Sequence, residues 1–450
     1  MAVVIPKEEW ELSPFAYVFL FLSCSSSVFL LPCFSRKTSA PAAAFDAGPT
    51  APFLRFQRSF LFIYSLASVM EGLELVFGEQ EFAKYGFSRE QMALCLAAGA
   101  AAALFLGTFS GILADVIGPE KACLLFYVLH FFVGILKSIS SHPSIWVTGI
   151  CLSLASSLFS FSFETWMVTE HEKQGHRQEL LSDTFWLMIF LGSTSLIVSQ
   201  ALANLLVKDL NKAFLSPYTL ASLLAMMSVL YMRKGWNGAR HQSSILNYKK
   251  AFTGHILKDK KLWLLAWAQT SIHFSMSIFW ILWAPTIVAD GRDVSLSHIY
   301  PCFLGSRMLG SSAFPWVFGG SSSLRSEDCL ISVFVVAGLS LLIVAYDYQE
   351  IGLLVVLFCI FQACVGLILP ALARLRTIYV PNELRGGMIS LSLAPANAAI
   401  LIFLIQGGYH HNIENAAVMA LSALGLLSAA GCIHLLRRWK KQPRQNWHKL

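Results

Sequence analysis

A handful of ionisable side chains fall inside the long apolar stretches of this chain, and they are the residues equipped for chemistry. Glu71 and Glu74 lie three apart, which puts both carboxylates on one face of a helix. A charged group at mid-bilayer costs about 2.5–3.5 kcal/mol on insertion scales, so it is a functional candidate by default. To serve as a proton site Glu71, near mid-depth of its stretch, would need desolvation, which favours the neutral form of a carboxyl. A structural ion pair is the other reading of both glutamates. Arg307 is the one basic residue near the middle of an apolar stretch. Its planar guanidinium stays charged and fits an oxyanion in two-point fashion; a salt bridge to Glu71, or bonds to helix-end carbonyls, would also account for it. His273, one turn after Gln269, offers a group that titrates near neutrality or bonds a solute, and it reads equally as a packing residue. Glu164 closes its stretch beside Glu170, His171, Lys173 and Arg177, a setting for a gate or latch. Arg374 and Arg376 flank the end of a stretch, where long basic side chains snorkel to the interface. Trp263, Trp267, Trp280 and Trp283 read as membrane anchors and packing.

No nucleophile or metal cluster accompanies the carboxylates, so the pattern is not that of an enzyme and calls for no cofactor. The chain has no GxxxxGK[ST] phosphate loop, no dinucleotide fingerprint, no HExxH and no CxxC pair, which argues against an ATP-driven pump.

The elements that must position these groups are membrane spans. Crossing the roughly 30 Å hydrocarbon core takes about 20 mostly apolar residues in a helix. Thirteen such stretches are expected, at about 14–34, 57–78, 91–114, 121–140, 144–166, 183–207, 214–232, 262–283, 298–318, 329–346, 351–372, 387–406 and 415–435. They are too long and uniform for barrel strands. Of the 450 residues 56% are hydrophobic and 13% charged, about half the charge of a soluble domain, and the mean hydropathy is +0.61. The net charge of +7 does not point to nucleic acid, because the basic residues fall on alternate loops. With 35–56 on the cytosolic side, 25 of the 33 Lys and Arg lie on that side, seven on the other, and Arg307 within a span. The ten cysteines sit mostly inside spans, as at Cys95, Cys151, Cys359 and Cys432, where they act as small hydrophobes rather than a disulfide framework.

The expected organisation is an extra transmembrane helix and cytosolic linker over 1–56, a six-helix bundle over 57–232, a basic cytosolic loop over 233–261, a second six-helix bundle over 262–435, and a basic cytosolic tail over 436–450. The first span could instead be a cleaved signal peptide, but Glu8, Glu9 and Glu11 outnumber Lys7 where a signal sequence is basic. Two six-helix bundles joined by a basic loop is the layout of major facilitator transporters.

Between the third and fourth spans Gly111-Ile-Leu-Ala-Asp115-Val-Ile-Gly118-Pro-Glu-Lys121 resembles the major facilitator loop G-x-x-x-D-x-x-G-R-[KR], with Pro119 and Glu120 in place of the basic pair. The resemblance implies a gating role for Asp115, pairing with basic groups or a helix N-terminus to latch the halves. Phe163-Glu164-Thr165-Trp166 with Glu170-His171 is similar to the F-E-[SA]-W…E-H string of the molybdate-anion transporter family. So are Phe53-Leu-Arg55-Phe-Gln57, the run from Trp280 to Pro285, Leu309-Gly310-Ser311-Ser312, and Pro381-Asn-Glu383 with Pro395-Ala-Asn397. The family's acidic residue of the second span is kept as Glu71. Its arginines align to Leu393 and Gly149, and an acidic residue of its eighth span aligns to His273, so the chain resembles a divergent branch.

The resemblance implies an all-α polytopic major facilitator fold and a secondary transporter of a small anion, molybdate in that family, working by alternating access. Glu71 would couple or gate, Arg307 would bind the anion, His273 and Gln269 would form a polar wall, and Asp115 and Glu164 would gate. Protons and the lipid bilayer are the other expected partners, and the cell membrane is expected ahead of an internal membrane. The alternatives are a transporter of another organic solute and a non-transporting receptor or scaffold that retains the fold.

Overall fold

The computed structural model describes residues 15–26, 51–84, 86, 88–139, 144–176, 178–208, 217–235, 245–256, 258–288, 294, 296–319, 326–346, 350–409 and 414–441. The N-terminal acidic run, most of the first linker, the 236–244 part of the central segment and the tail beyond 441 lie outside the described residues, as does the far end of the first expected span.

Every described element is helical. They are α1 (Phe15–Ser26), α2 (Ala51–Lys84), α3 (Arg89–Ala102), α4 (Thr108–Ile117), α5 (Pro119–Ile139), α6 (Ile145–Lys173), α7 (Gln178–Lys208), α8 (Pro217–Gly235), α9 (Ile245–His255), α10 (Lys260–Ile287), α11 (Leu296–Gly319), α12 (Ser326–Tyr346), α13 (Ile351–Tyr379), α14 (Arg385–Tyr409) and α15 (Asn415–Lys441). A π-turn over Ala103–Gly107 fuses α3 and α4 into one span. Eight of the described helices are long and apolar enough to cross a membrane. Among the helices of similar length that fall short are α2, α10 and α11, which carry Glu71, Gln269, His273 and Arg307.

The buried apolar side chains form two main clusters. One is built mostly from α2 and α4 to α8, around Phe60, Phe126, Phe161 and Phe163. The other is built mostly from α10 to α15, around Phe279, Phe303, Phe358 and Phe361. These are the cores of two bundles. The bundles meet where α3 and α4 pack on α14, and where α7 packs on α11 and α13. Small residues allow the approach: a Cβ on Gly111 would run into Ser390 Oγ of α14. Gly118, at φ +115, makes the turn from α4 into α5 that few other residues could make. Large apolar side chains such as Phe105, Phe109 and Trp316 are more than half exposed, which is the surface a bilayer covers.

The central segment, read from its charge as a loop, contains α9. Its inward face is Tyr248, Ala251, Phe252 and Ile256, packed against the second bundle, while Lys249 and Lys250 are exposed. That spacing is helical and amphipathic, but the density of basic residues hides it. The short α1 packs on α11: Phe21 lies against Gly305, and the Cys302 thiol donates to the Tyr17 carbonyl oxygen at 3.2 Å.

Candidate functional site

Arg307 is placed by a close crossing of α11 and α13. A Cβ on Gly310 would collide with the Ala363 carbonyl oxygen, and one on Gly366 with that of Arg307. The backbones can therefore touch, and Arg307 meets Gln362, one turn before Gly366. The guanidinium donates from Nε at 2.9 Å and Nη2 at 2.7 Å, both to Gln362 Oε1. It also lies over the Trp280 ring of α10, 5.6 Å from its centroid. Trp280 in turn packs on Tyr300 at 5.6 Å, and Tyr300 is two helical turns from Arg307 on the same face of α11.

The electrostatics of this cluster are unbalanced. Arg307 is buried, 7% exposed, and no carboxylate among the described residues lies within ion-pair distance of it. Holding both arginine donors on Oε1 turns the Gln362 amide nitrogen away, and that buried N–H₂ has no partner among the described residues. Nor does the buried Tyr300 hydroxyl. Arg307 is thus a buried cation held by an amide oxygen and a ring rather than by a salt bridge, and the Gln362 amide and the Tyr300 hydroxyl are two further buried donors on α13 and α11.

Glu71 is not the partner of Arg307. Its Oε1 lies 3.3 Å from His130 Nε2 on α5, a ring packed on Phe126 at 4.6 Å. Glu74 accepts from Lys137 of α5 at 3.1 Å, and Lys137 also lies over the Tyr218 ring at 4.9 Å. His130 and Lys137 are seven apart, on one face of α5, and both are buried. Neither was singled out from the sequence, although the rarity of ionisable groups within spans flags both.

A second charged cluster ties the bundles together at the end where the basic segments lie. Glu164 of α6 accepts from Arg376 of α13, through Nε at 2.8 Å and through Nη2, and from Arg385 Nη1 of α14 at 3.2 Å. Arg376 Nη1 donates to Gln269 Oε1 of α10, and Arg385 Nη2 to Asn382 Oδ1 at 3.0 Å. Asn382 also donates to Glu172 of α6. One turn of α4 away from the loop, Asp115 accepts from the backbone N–H of Gly386 at 2.9 Å and Gly387 at 2.7 Å. These are the first free amides of α14, where the helix dipole favours a carboxylate. Tyr248 of α9 adds a third donor, hydroxyl to Asp115 Oδ2 at 3.0 Å.

The six residues singled out from the sequence therefore fall into separate places. Arg307 sits in the unbalanced cluster; Glu71 is with His130. Gln269 and His273, one turn apart on α10, take different partners: Gln269 joins the Glu164 cluster, and His273 Nε2 lies 3.3 Å from Asn397 Oδ1 of α14. Arg376 does not snorkel. It is 5% exposed and committed to Glu164. Arg385, fully buried, and Gln362 were not anticipated; a neutral glutamine in an apolar span gives no sequence signal by itself.

Two bundles of long apolar helices, meeting around buried charges, define a membrane transporter of the major facilitator type. A family model described as sugar transporters with 12 transmembrane segments matches residues 16–391, and the chain belongs to that family. The molybdate-anion transporter of Xenopus tropicalis is 25% identical over 414 residues, 89% of this chain and 90% of its own length. That of Takifugu rubripes is 23% identical over 438 residues, 87% of this chain and 90% of its own. The chain is a divergent relative of both. Among solved structures, a bacterial homologue of the iron transporter ferroportin in an outward-facing state superposes with a TM-score of 0.66 at 15% identity, covering 85% of this chain and all of that one. The human organic anion transporter MFSD10 superposes at 0.62 and 11% identity, covering 84% and 99%.

Proposed function

We propose that this transporter moves a small oxyanion by alternating access, with molybdate the foremost candidate, across the cell membrane. The observation that carries this reading is the buried Arg307, a fork of donors that meets no carboxylate among the described residues and is held by Gln362 Oε1 and the Trp280 ring. An ion that sheds its water on entry needs such a set of donors in return. The remoteness of the relatives leaves the substrate to be decided by the site, and the Trp280 ring under Arg307, with Tyr300 packed on it, favours a second reading, an organic carboxylate whose apolar part packs on the rings.

Glu71 and His130 are the proposed coupling pair. Protonating either member changes the charge of a half-buried contact inside the first bundle, which is the kind of change that biases a two-state transporter. The Glu164–Arg376–Arg385 cluster and the Asp115 contacts to α14 are the proposed gate, since every one of those bonds crosses between bundles or braces one that does.

The test is uptake by the purified protein in liposomes, with molybdate, tungstate, sulfate and an aromatic carboxylate as solutes. Oxyanion uptake that is lost in Arg307→Gln supports the proposal. Uptake of the carboxylate alone selects the second reading, and a protein that moves nothing is a receptor or scaffold.

A further inference from the structure

At the end of the molecule that carries the basic segments, α2 and α8 leave a pocket of about 480 Å³ between them, lined by Leu54, Arg55, Arg58, Ser59 and Tyr231. None of these residues takes part in the site or gate described above. Arg55 and Arg58 are one turn apart on α2, so both guanidinium groups serve the same side of the helix. Both are exposed, and neither meets a carboxylate among the described residues. The Ser59 and Tyr231 hydroxyl oxygens are 2.7 Å apart and join the two helices beside the pocket.

The depth and the neighbouring surface say what fits. Arg55 and Arg58 are the fifth and eighth residues of α2, and Tyr231 is four residues from the end of α8. They sit where the apolar stretches expected at 57–78 and 214–232 meet their basic flanks, the level of lipid headgroups. One turn deeper the surface becomes apolar: Phe62 packs on Tyr231 at 5.6 Å, and Phe62 and Leu230 are about half exposed. A cationic pocket that opens onto an apolar lipid-facing strip matches a phosphate joined to acyl chains.

We propose that this pocket binds an anionic membrane lipid. Arg55 and Arg58 hold the phosphate oxygens, the Ser59–Tyr231 hydroxyl pair supplies a further donor, and the acyl chains run along Phe62 and Leu230. A soluble phosphate would use the same donors but would leave the apolar strip unused.

Native mass spectrometry of the purified full-length protein, with phosphatidic acid, phosphatidylcholine and glycerol 3-phosphate as probes, tests this. Phosphatidic acid is expected to bind at least about tenfold more than phosphatidylcholine. The double variant Arg55→Gln with Arg58→Gln is expected to lose about tenfold or more of that binding, because each cation near the membrane surface contributes about 1 kcal/mol towards an anionic lipid. The corresponding double lysine variant should keep most of it. Equal binding of the two lipids, or undiminished binding by the double glutamine variant, overturns the proposal. Competition by glycerol 3-phosphate at equal concentration overturns the lipid as occupant. If the double variant does not fold, Arg58→Gln and Ser59→Ala carry the same test, and unchanged phosphatidic acid binding in both overturns it.

Discussion

Arg376 on α13 grips Glu164 on α6 with two parallel hydrogen bonds, Nε to Oε1 at 2.8 Å and Nη2 to Oε2, and the two residues belong to opposite bundles. Arg385 adds a third bond to the same carboxylate. Asp115 nearby takes the Gly386 and Gly387 amides of α14, so two carboxylates of the first bundle are held by donors of the second. Removing one member of a buried pair leaves the other uncompensated, at a cost of about 3–5 kcal/mol. The cost falls on the closed arrangement, because parting the bundles lets water reach the freed charge.

Glu164→Gln should therefore loosen the contact between α6 and the α13–α14 junction without unfolding the bundles. Hydrogen exchange of the backbone over residues 380–390 is expected to speed up tenfold or more, with exchange inside α12 and α15 unchanged. Unaltered exchange at the junction would show that the ion pair does not hold it closed.

Gly386 makes a steric counterpart to that electrostatic test. A Cβ there would lie 2.6 Å from Asp115 Oδ1 and 3.0 Å from the Gly111 carbonyl oxygen, with no flexible side-chain end to yield at the backbone. Overpacking of this kind costs about 1–3 kcal/mol, and here it also forces α14 away from α4. Gly386→Ala should lower the melting temperature and slow uptake together. Gly425→Ala is the control, since its Cβ would meet nothing nearer than 3.9 Å. Equal behaviour of the two variants would remove the argument from close packing.

The sequence exposes what local chemistry controls. Apolar length and the placement of Lys and Arg mark the spans, and the Gly111–Asp115–Gly118 spacing marks a turn with a carboxylate poised at a helix end. It does not expose which span faces which. Glu71 reads as a possible partner of Arg307 and meets His130 instead, because no periodicity within one helix fixes its rotation against another. Arg376 misleads for the same reason: its position at a span end suggests an interfacial residue until Glu164 is brought against it. Gln362 matters only through the close crossing of α11 and α13, and α9 only through the bond that Tyr248 gives Asp115.

Glu71 and His130 predict a pH effect. If their contact couples proton movement to transport, Glu71→Gln should leave expression and insertion normal and flatten the dependence of uptake on pH, since the glutamine bonds His130 but carries no exchangeable charge. His130→Gln should flatten it as well. A pH profile that keeps its shape in both variants would leave the contact as structural support for α2 and α5.

The last prediction turns on Arg307 and Gln362, because it separates a site for anions from a merely buried arginine. Arg307→Gln removes the charge, and oxyanion binding should fall by about one to two orders of magnitude, the worth of a charge-assisted hydrogen bond of about 1.5–3 kcal/mol. Arg307→Lys keeps the charge but loses the planar fork, so binding should fall less. Those results alone would also follow from a disturbed fold. Gln362→Glu answers that objection. It changes the shape of the side chain very little and gives Arg307 the carboxylate it lacks, so the pair should form in place and the protein should melt no lower than wild type. The guanidinium is then neutralised where it stands, and the Gln362 amide donor is gone. Calorimetry with molybdate or tungstate should show binding lost in Gln362→Glu as completely as in Arg307→Gln. Retained binding in a stable Gln362→Glu protein would move the anion away from Arg307, and wild type that binds neither oxyanion would leave the organic carboxylate as the solute to pursue.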